Sequence, residues 1–123
     1  MSVLYILGTA DPFIPFKGGT VKTKAGGEVF SAKESIELWA DLYGCNKTVE
    51  TVNLPDLAED KITVTKISYK NCSGKAEIVL YKLNNGGHQY PQGITIPTAG
   101  NKCTDINATD EIWNFFKQHS LNK

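Results

Sequence analysis

The sequence predicts a single α/β domain built on a mainly parallel sheet, with one antiparallel edge strand. Three observations point there. Residues 3–7 (Val-Leu-Tyr-Ile-Leu) form an unbroken apolar run closed by Gly8, the pattern of a strand buried on both faces. Two later segments, 31–43 and 107–119, repeat apolar residues at helical spacing behind capping residues. The order strand, loop, helix, then strand, loop, helix is that of parallel strands joined by a crossover.

Taken in order, residues 8–30 are rich in Gly, Pro and Lys and read as loop, with Phe13, Ile14 and Phe16 expected to pin it to the body. Ser31-Ala32-Lys33-Glu34 is a capping box. Ile36, Trp39 and Tyr43, joined by Leu38 and Leu42, form the apolar stripe of the helix it starts, and Gly44 ends it. Residues 46–60 are polar, contain Pro55 and read as a connection. Residues 61–70 alternate as a strand, with Ile62, Val64, Ile67 and Tyr69 prominent. Asn71-Cys72-Ser73-Gly74 is a turn, and 76–81 a second strand antiparallel to the first. A long Gly/Pro loop, 84–102, precedes a last helix capped by Asn107. Ile112, Phe115, Phe116 and His119 share one face of it, with Trp113 beside them.

A chain of 123 residues is one domain able to bury roughly two thirds of its unfolded surface. Its 41% hydrophobic and 21% charged residues are ordinary for a globular protein. The net charge is zero and there is no basic stripe, so nucleic acid is not an expected partner. No apolar run approaches the ~20 residues of a membrane span. Met1 leads at once into the strand-like run, without the charged start and cleavage site of a secretory signal. Such an abrupt beginning is what a truncated or rearranged gene would give.

The chemistry centres on two turns. Gly8-Thr9-Ala10-Asp11-Pro12 follows the first strand, and Gly86-Gly87-His88-Gln89-Tyr90-Pro91 follows a later one. Ligands of parallel sheets bind beyond the carboxyl ends of the strands, so this topology brings Asp11 and His88 to one rim. Asp then His is the second half of a Ser…Asp…His order, but no Gly-x-Ser-x-Gly occurs. Taken singly, each turn reads as an ordinary surface turn. Pro12 holds Asp11 out of helical geometry, and the two glycines are expected to let the chain turn sharply before His88. Glu34 and Asp110 are explained by their helix first turns, Trp39 and Trp113 as core anchors, and His119 as structural or solvent-exposed. No cofactor is expected. No metal site is expected either, because no second histidine stands at ligand spacing. Three cysteines, at 45, 72 and 103, allow either a Cys45–Cys72 bridge with one thiol left over or three free thiols.

Several stretches together resemble the C-terminal part of the polyhydroxybutyrate-depolymerase and feruloyl-esterase-like α/β-hydrolases. They are Leu4–Pro15 followed by Gly18-Gly19, then Ser31-Ala32, Trp39-Ala40 and Gly44-Cys45, then Tyr69-Lys70-Asn71-Cys72. Leu80-Tyr81 before Gly86-Gly87-His88 and Pro91 follows, then Asn107-Ala108-Thr109 and Ile112–Phe116. The resemblance covers almost the whole chain. It implies a partial α/β-hydrolase domain over 1–123, lacking the nucleophile-bearing N-terminal part. It also implies a serine esterase in which Asp11 orients His88, acting on polyhydroxyalkanoates or hydroxycinnamoyl esters. Family members are commonly secreted, which favours a Cys45–Cys72 disulfide and leaves Cys103 without a partner. The histidine loop departs from the family's Gly-Gly-His-x-Trp-Pro-Gly: Tyr90, a candidate substrate contact, replaces the tryptophan, and Gln92 separates Pro91 from Gly93.

Two functions compete. The chain is the C-terminal fragment of an ester hydrolase, inactive alone for want of the serine and the oxyanion hole. Alternatively it is a non-catalytic α/β binding module that pairs with its own copy or a partner chain through the exposed edge of strand 3–7. A third idea, in which Ser31 or Ser73 supplies the nucleophile, is weaker, because those residues are explained as cap and turn.

Overall fold

The computed structural model describes residues 1–45 and 49–119. Among these residues six strands and two α-helices follow one another: β1 (Val3–Gly8), β2 (Gly19–Thr20), β3 (Glu28–Val29), α1 (Ala32–Leu42), β4 (Val49–Asn53), β5 (Thr63–Tyr69), β6 (Ile78–Asn84) and α2 (Ala108–Gln118). A four-stranded sheet has the order β1-β6-β5-β4, and β2 and β3 form a small separate hairpin. Helices lie against both faces of the sheet, an α/β arrangement.

The sheet is mixed, not mainly parallel. Only β1 and β6 run parallel, with Val3 opposite Ile78 and Gly8 opposite Leu83. β5 is antiparallel to β6 and β4 is antiparallel to β5. The expected antiparallel pair is therefore present, but it lies inside the sheet, and residues 49–53, expected as connection, form the edge beyond it. Every residue of β4 is exposed, so no apolar alternation marks it. Residues 46–48 of that connection lie outside the described residues.

The two-faced buried strand is β6, which lies between β1 and β5. Ile78, Val79, Leu80, Tyr81 and Leu83 are all buried. Successive side chains alternate between faces. Ile78 and Leu80 join Ile36 and Ala32 of α1, while Val79, Tyr81 and Leu83 join Phe115 of α2. β1 is an edge strand, and Val3 to Leu7 are only half-buried. Its expected burial on both sides fails because no described strand pairs with its outer edge.

Local signals place both helices. Ser31 Oγ accepts from the Glu34 N–H at 3.1 Å, and Glu34 Oε2 accepts from the Ser31 N–H at 2.8 Å. Asn107 Oδ1 accepts from the Asp110 N–H. The helix faces depart from expectation. Leu38 and Leu42 are exposed, and the core stripe of α1 is Ala32, Ile36 and Ala40. Trp113 is 63% exposed and Phe116 56%, so neither is a core anchor. Trp39 is half-buried and donates from Nε1 to the Tyr5 hydroxyl at 2.8 Å. A Tyr81–Glu111 hydrogen bond of 2.6 Å ties α2 to β6. Cys45 and Cys72 form a disulfide, linking the end of α1 to the turn after β5, and Cys103 is a buried free thiol.

Candidate functional site

The parallel pairing of β1 and β6 brings the ends of both strands to one rim, where each runs into its turn. The Thr9 N–H donates to Leu83 O at 3.0 Å and the Ala10 N–H to Gly86 O at 2.9 Å. The Asn85 N–H in turn donates to Thr9 Oγ1 at 2.7 Å. This approach leaves no room for side chains: a Cβ on Gly8 would run into the Gly86 carbonyl, and one on Gly87 into the Ala99 carbonyl. The glycines before His88 therefore serve close packing. The left-handed residue of the turn is Asn85, with φ 69°.

Asp11 uses both carboxylate oxygens. Oδ1 accepts from the N–H groups of Phe13 (2.8 Å) and Ile14 (2.9 Å), an Asx-type turn around Pro12. Oδ2 faces His88 Nδ1 at 2.6 Å, across 77 residues of sequence. The Asp11 side chain is 6% exposed and the imidazole 51%. The His88 N–H donates to Ala99 O, and the Phe13 ring meets the imidazole edge-on at 5.5 Å. A carboxylate only accepts hydrogen bonds, so the neutral imidazole carries its proton on Nδ1 and offers a lone pair at Nε2. Among the described residues, Nε2 has no hydrogen-bond partner.

The pair opens on a cleft of about 210 Å³, lined by Ile6, Leu7 and Gly8 of β1, by Asp11 and by residues 87–91. Tyr90, the residue expected to touch substrate, stands on its rim and is exposed. Among the described residues, no serine, threonine or cysteine lines the cleft. Ser31 caps α1, and the Ser73 N–H binds the Tyr43 carbonyl in the turn after β5, so neither serves this site.

No family model, curated protein or solved structure matches the chain. The chemistry of the site thus rests on its own geometry.

A second histidine–carboxylate pair has a different character. His119 Nε2 lies 3.0 Å from Glu77 Oε2, both side chains are mostly buried, and the imidazole packs on Phe115 at 4.5 Å. It fastens the end of α2 to the segment leading into β6.

Sequence reasoning missed a third group. One ligand atom from each of Asp60, Cys103 and Asp105 lies within 4.8 Å of the others. Burial works to raise the Asp60 carboxyl, but the Thr104 and Ile62 N–H groups and the Thr104 hydroxyl outweigh it and hold Asp60 below its ordinary range. Burial pushes the Cys103 thiol up, against the N–H groups of Asp105 and Ile106 that face it. Histidine spacing carries no trace of this cluster, because its three residues meet only through the packing of two loops.

Proposed function

We propose that this chain carries the acid and the histidine of a serine carboxylic-ester hydrolase, in a partial α/β-hydrolase fold. In this reading the nucleophile and the oxyanion-hole donors come from residues outside these 123. The observation that carries it is the 2.6 Å Asp11–His88 contact at the carboxyl ends of two neighbouring parallel strands, with Nε2 unpaired beside a cleft.

The chemistry follows from the tautomer. Asp11 accepts the Nδ1 proton and fixes the ring. Nε2 takes the proton of a serine hydroxyl as its oxygen attacks an ester carbonyl. Asp11 stabilises the imidazolium, which then protonates the departing alkoxide. A polyhydroxyalkanoate or hydroxycinnamoyl ester would pass Tyr90 on entering. Without a serine in the cleft the covalent route is closed, and each missing oxyanion donor forfeits roughly 2.7–4 kcal/mol of transition-state stabilisation. The chain alone should hydrolyse esters only at the buffer rate.

The open side of β1 is where the supplying segment would dock. The Val3 and Thr9 N–H groups donate to Glu77 and Leu83. By strand alternation, those of Leu4, Ile6 and Gly8 face outward. A parallel strand added there would end beside the cleft. The test is to express the chain joined to whatever is encoded directly upstream of it. The reading expects a Gly-x-Ser-x-Gly there, hydrolysis of short-chain nitrophenyl esters, and a loss of about 10⁴-fold in kcat for Asp11→Asn. An upstream region with no such serine, or hydrolysis indifferent to Asp11 and His88, would overturn it.

The same open edge favours a second reading, a non-catalytic module that pairs with its own copy. An unpaired apolar edge strand is a template for another strand, and two copies joined there make a symmetric dimer. Sedimentation of the chain alone tests this, since a mass that stays monomeric at all concentrations rules it out.

A further inference from the structure

We propose that Asp60, Cys103 and Asp105 form a site for a divalent metal ion of the zinc class, bound by two carboxylates and one thiolate. The ligand atoms come from two loops, 54–62 between β4 and β5 and 85–107 between β6 and α2, and lie within 4.8 Å of one another. None of the three lines the His88 cleft. The site therefore stands whether or not the chain belongs to an ester hydrolase.

The first argument is an orphaned oxygen. Asp105 is only 9% exposed. Its Oδ1 accepts from the Leu57 and Ala58 N–H groups at 2.9 and 2.8 Å. Its Oδ2 is buried with no hydrogen-bond partner among the described residues. Buried polar atoms are nearly always satisfied, and a carboxylate oxygen is among the most expensive to leave bare. A cation beside Oδ2 would satisfy it.

The second argument is charge. Asp60 stands beside Asp105, and among the described residues neither forms an ion pair with a Lys, Arg or His side chain. Two carboxylates this close without a counter-ion gain from a divalent ion between them. Asp60 is already oriented for the purpose. Oδ1 is held by the Ile62 N–H, and Oδ2 by the Thr104 N–H and hydroxyl. These bonds leave one acceptor site over, on Oδ1, and fix the carboxylate as outer-shell donors fix metal ligands.

The third argument is the sulfur. Cys103 is 1% exposed, and its sulfur lies within 4.8 Å of a ligand oxygen of each carboxylate. When a metal binds, it displaces the thiol proton to solvent, and the sulfur's charge then sits beside the ion. A thiolate disfavours calcium and magnesium, while the mixed oxygen and sulfur set suits zinc or cobalt. Three protein ligands leave one position of a tetrahedral ion open. The Cys103 carbonyl also accepts from the Gln92 N–H at 3.0 Å, so an ion here would clasp the β4–β5 loop to the loop that carries His88.

The test is a cobalt(II) titration of the purified chain with its Cys45–Cys72 disulfide intact. Cys103 is then the sole free thiol, so a thiolate-to-cobalt charge-transfer band can come only from this site. The proposal expects that band at one ion per chain, its loss when zinc is added, and its absence in Cys103→Ser. Asp105→Asn and Asp60→Asn should each weaken cobalt binding by more than about tenfold, since loss of an outer-shell group alone costs about that much. A variant that fails to fold is detected by circular dichroism, and the wild-type titration still decides. No band at millimolar cobalt, or a band unmoved by Asp105→Asn, would overturn the proposal.

Discussion

Asp11 divides its work between its two oxygens, and substitution separates them. Asn at this position keeps Oδ1 as acceptor for Phe13 and Ile14 but turns an amide toward His88. That amide donates, so the neutral imidazole should move its proton from Nδ1 to Nε2. Long-range proton–nitrogen NMR of His88 reads the switch directly, and an unchanged Nδ1–H tautomer in Asp11→Asn would contradict the described geometry. Asp11→Ala removes all three interactions and should cost about 1–3 kcal/mol in urea denaturation, more than the Asn variant. The sequence made this pair legible because each residue follows a strand-like run, and only a parallel pairing was needed to join them. The reason for the neighbouring glycines was not legible. Close approach between Gly8 and Gly86, and between Gly87 and Ala99, is a tertiary fact, and the left-handed geometry falls on Asn85 and Gln92 instead.

At the scale of elements, legibility follows how local the determining physics is. α1 could be placed to within a residue because its capping box is encoded in four consecutive positions. Ser31→Ala should cost about 1 kcal/mol, from the loss of one cap hydrogen bond and its partner, measured by chemical denaturation. A negligible change would mean that packing on β6, rather than the cap, fixes the start of the helix. β4 could not be read, because Val-Glu-Thr-Val-Asn is exposed throughout and becomes a strand by pairing with β5. The helix faces were misread for a related reason. Leu38, Leu42, Trp113 and Phe116 sit at helical spacing from core residues, yet each lies on the flank that no strand covers. Spacing gives a stripe, and the neighbours decide how wide a stripe is buried.

For the whole molecule, the Cys45–Cys72 bond spans 27 residues, including β4 and β5, and joins the α1 layer to the sheet. In the loop-entropy model a closure of this length is worth about 3.5 kcal/mol. A Cys45→Ala, Cys72→Ala double variant should lose close to that in denaturation at fixed pH, and a reductant should have the same effect on the wild type alone. The Tyr81–Glu111 bond offers a way to watch the opposite face. Burial, then the hydrogen bond and charge of Glu111, push the Tyr81 phenol well above its ordinary 10.0. Its contribution is therefore complete below about pH 10 and is lost as pH climbs through the raised folded value. Tyr81 should ionise only at strongly alkaline pH, and Glu111→Gln should bring its ionisation earlier. In an alkaline titration followed by phenolate absorbance, that late step becomes an optical signal for the C-terminal helix lifting from the sheet, with no label attached.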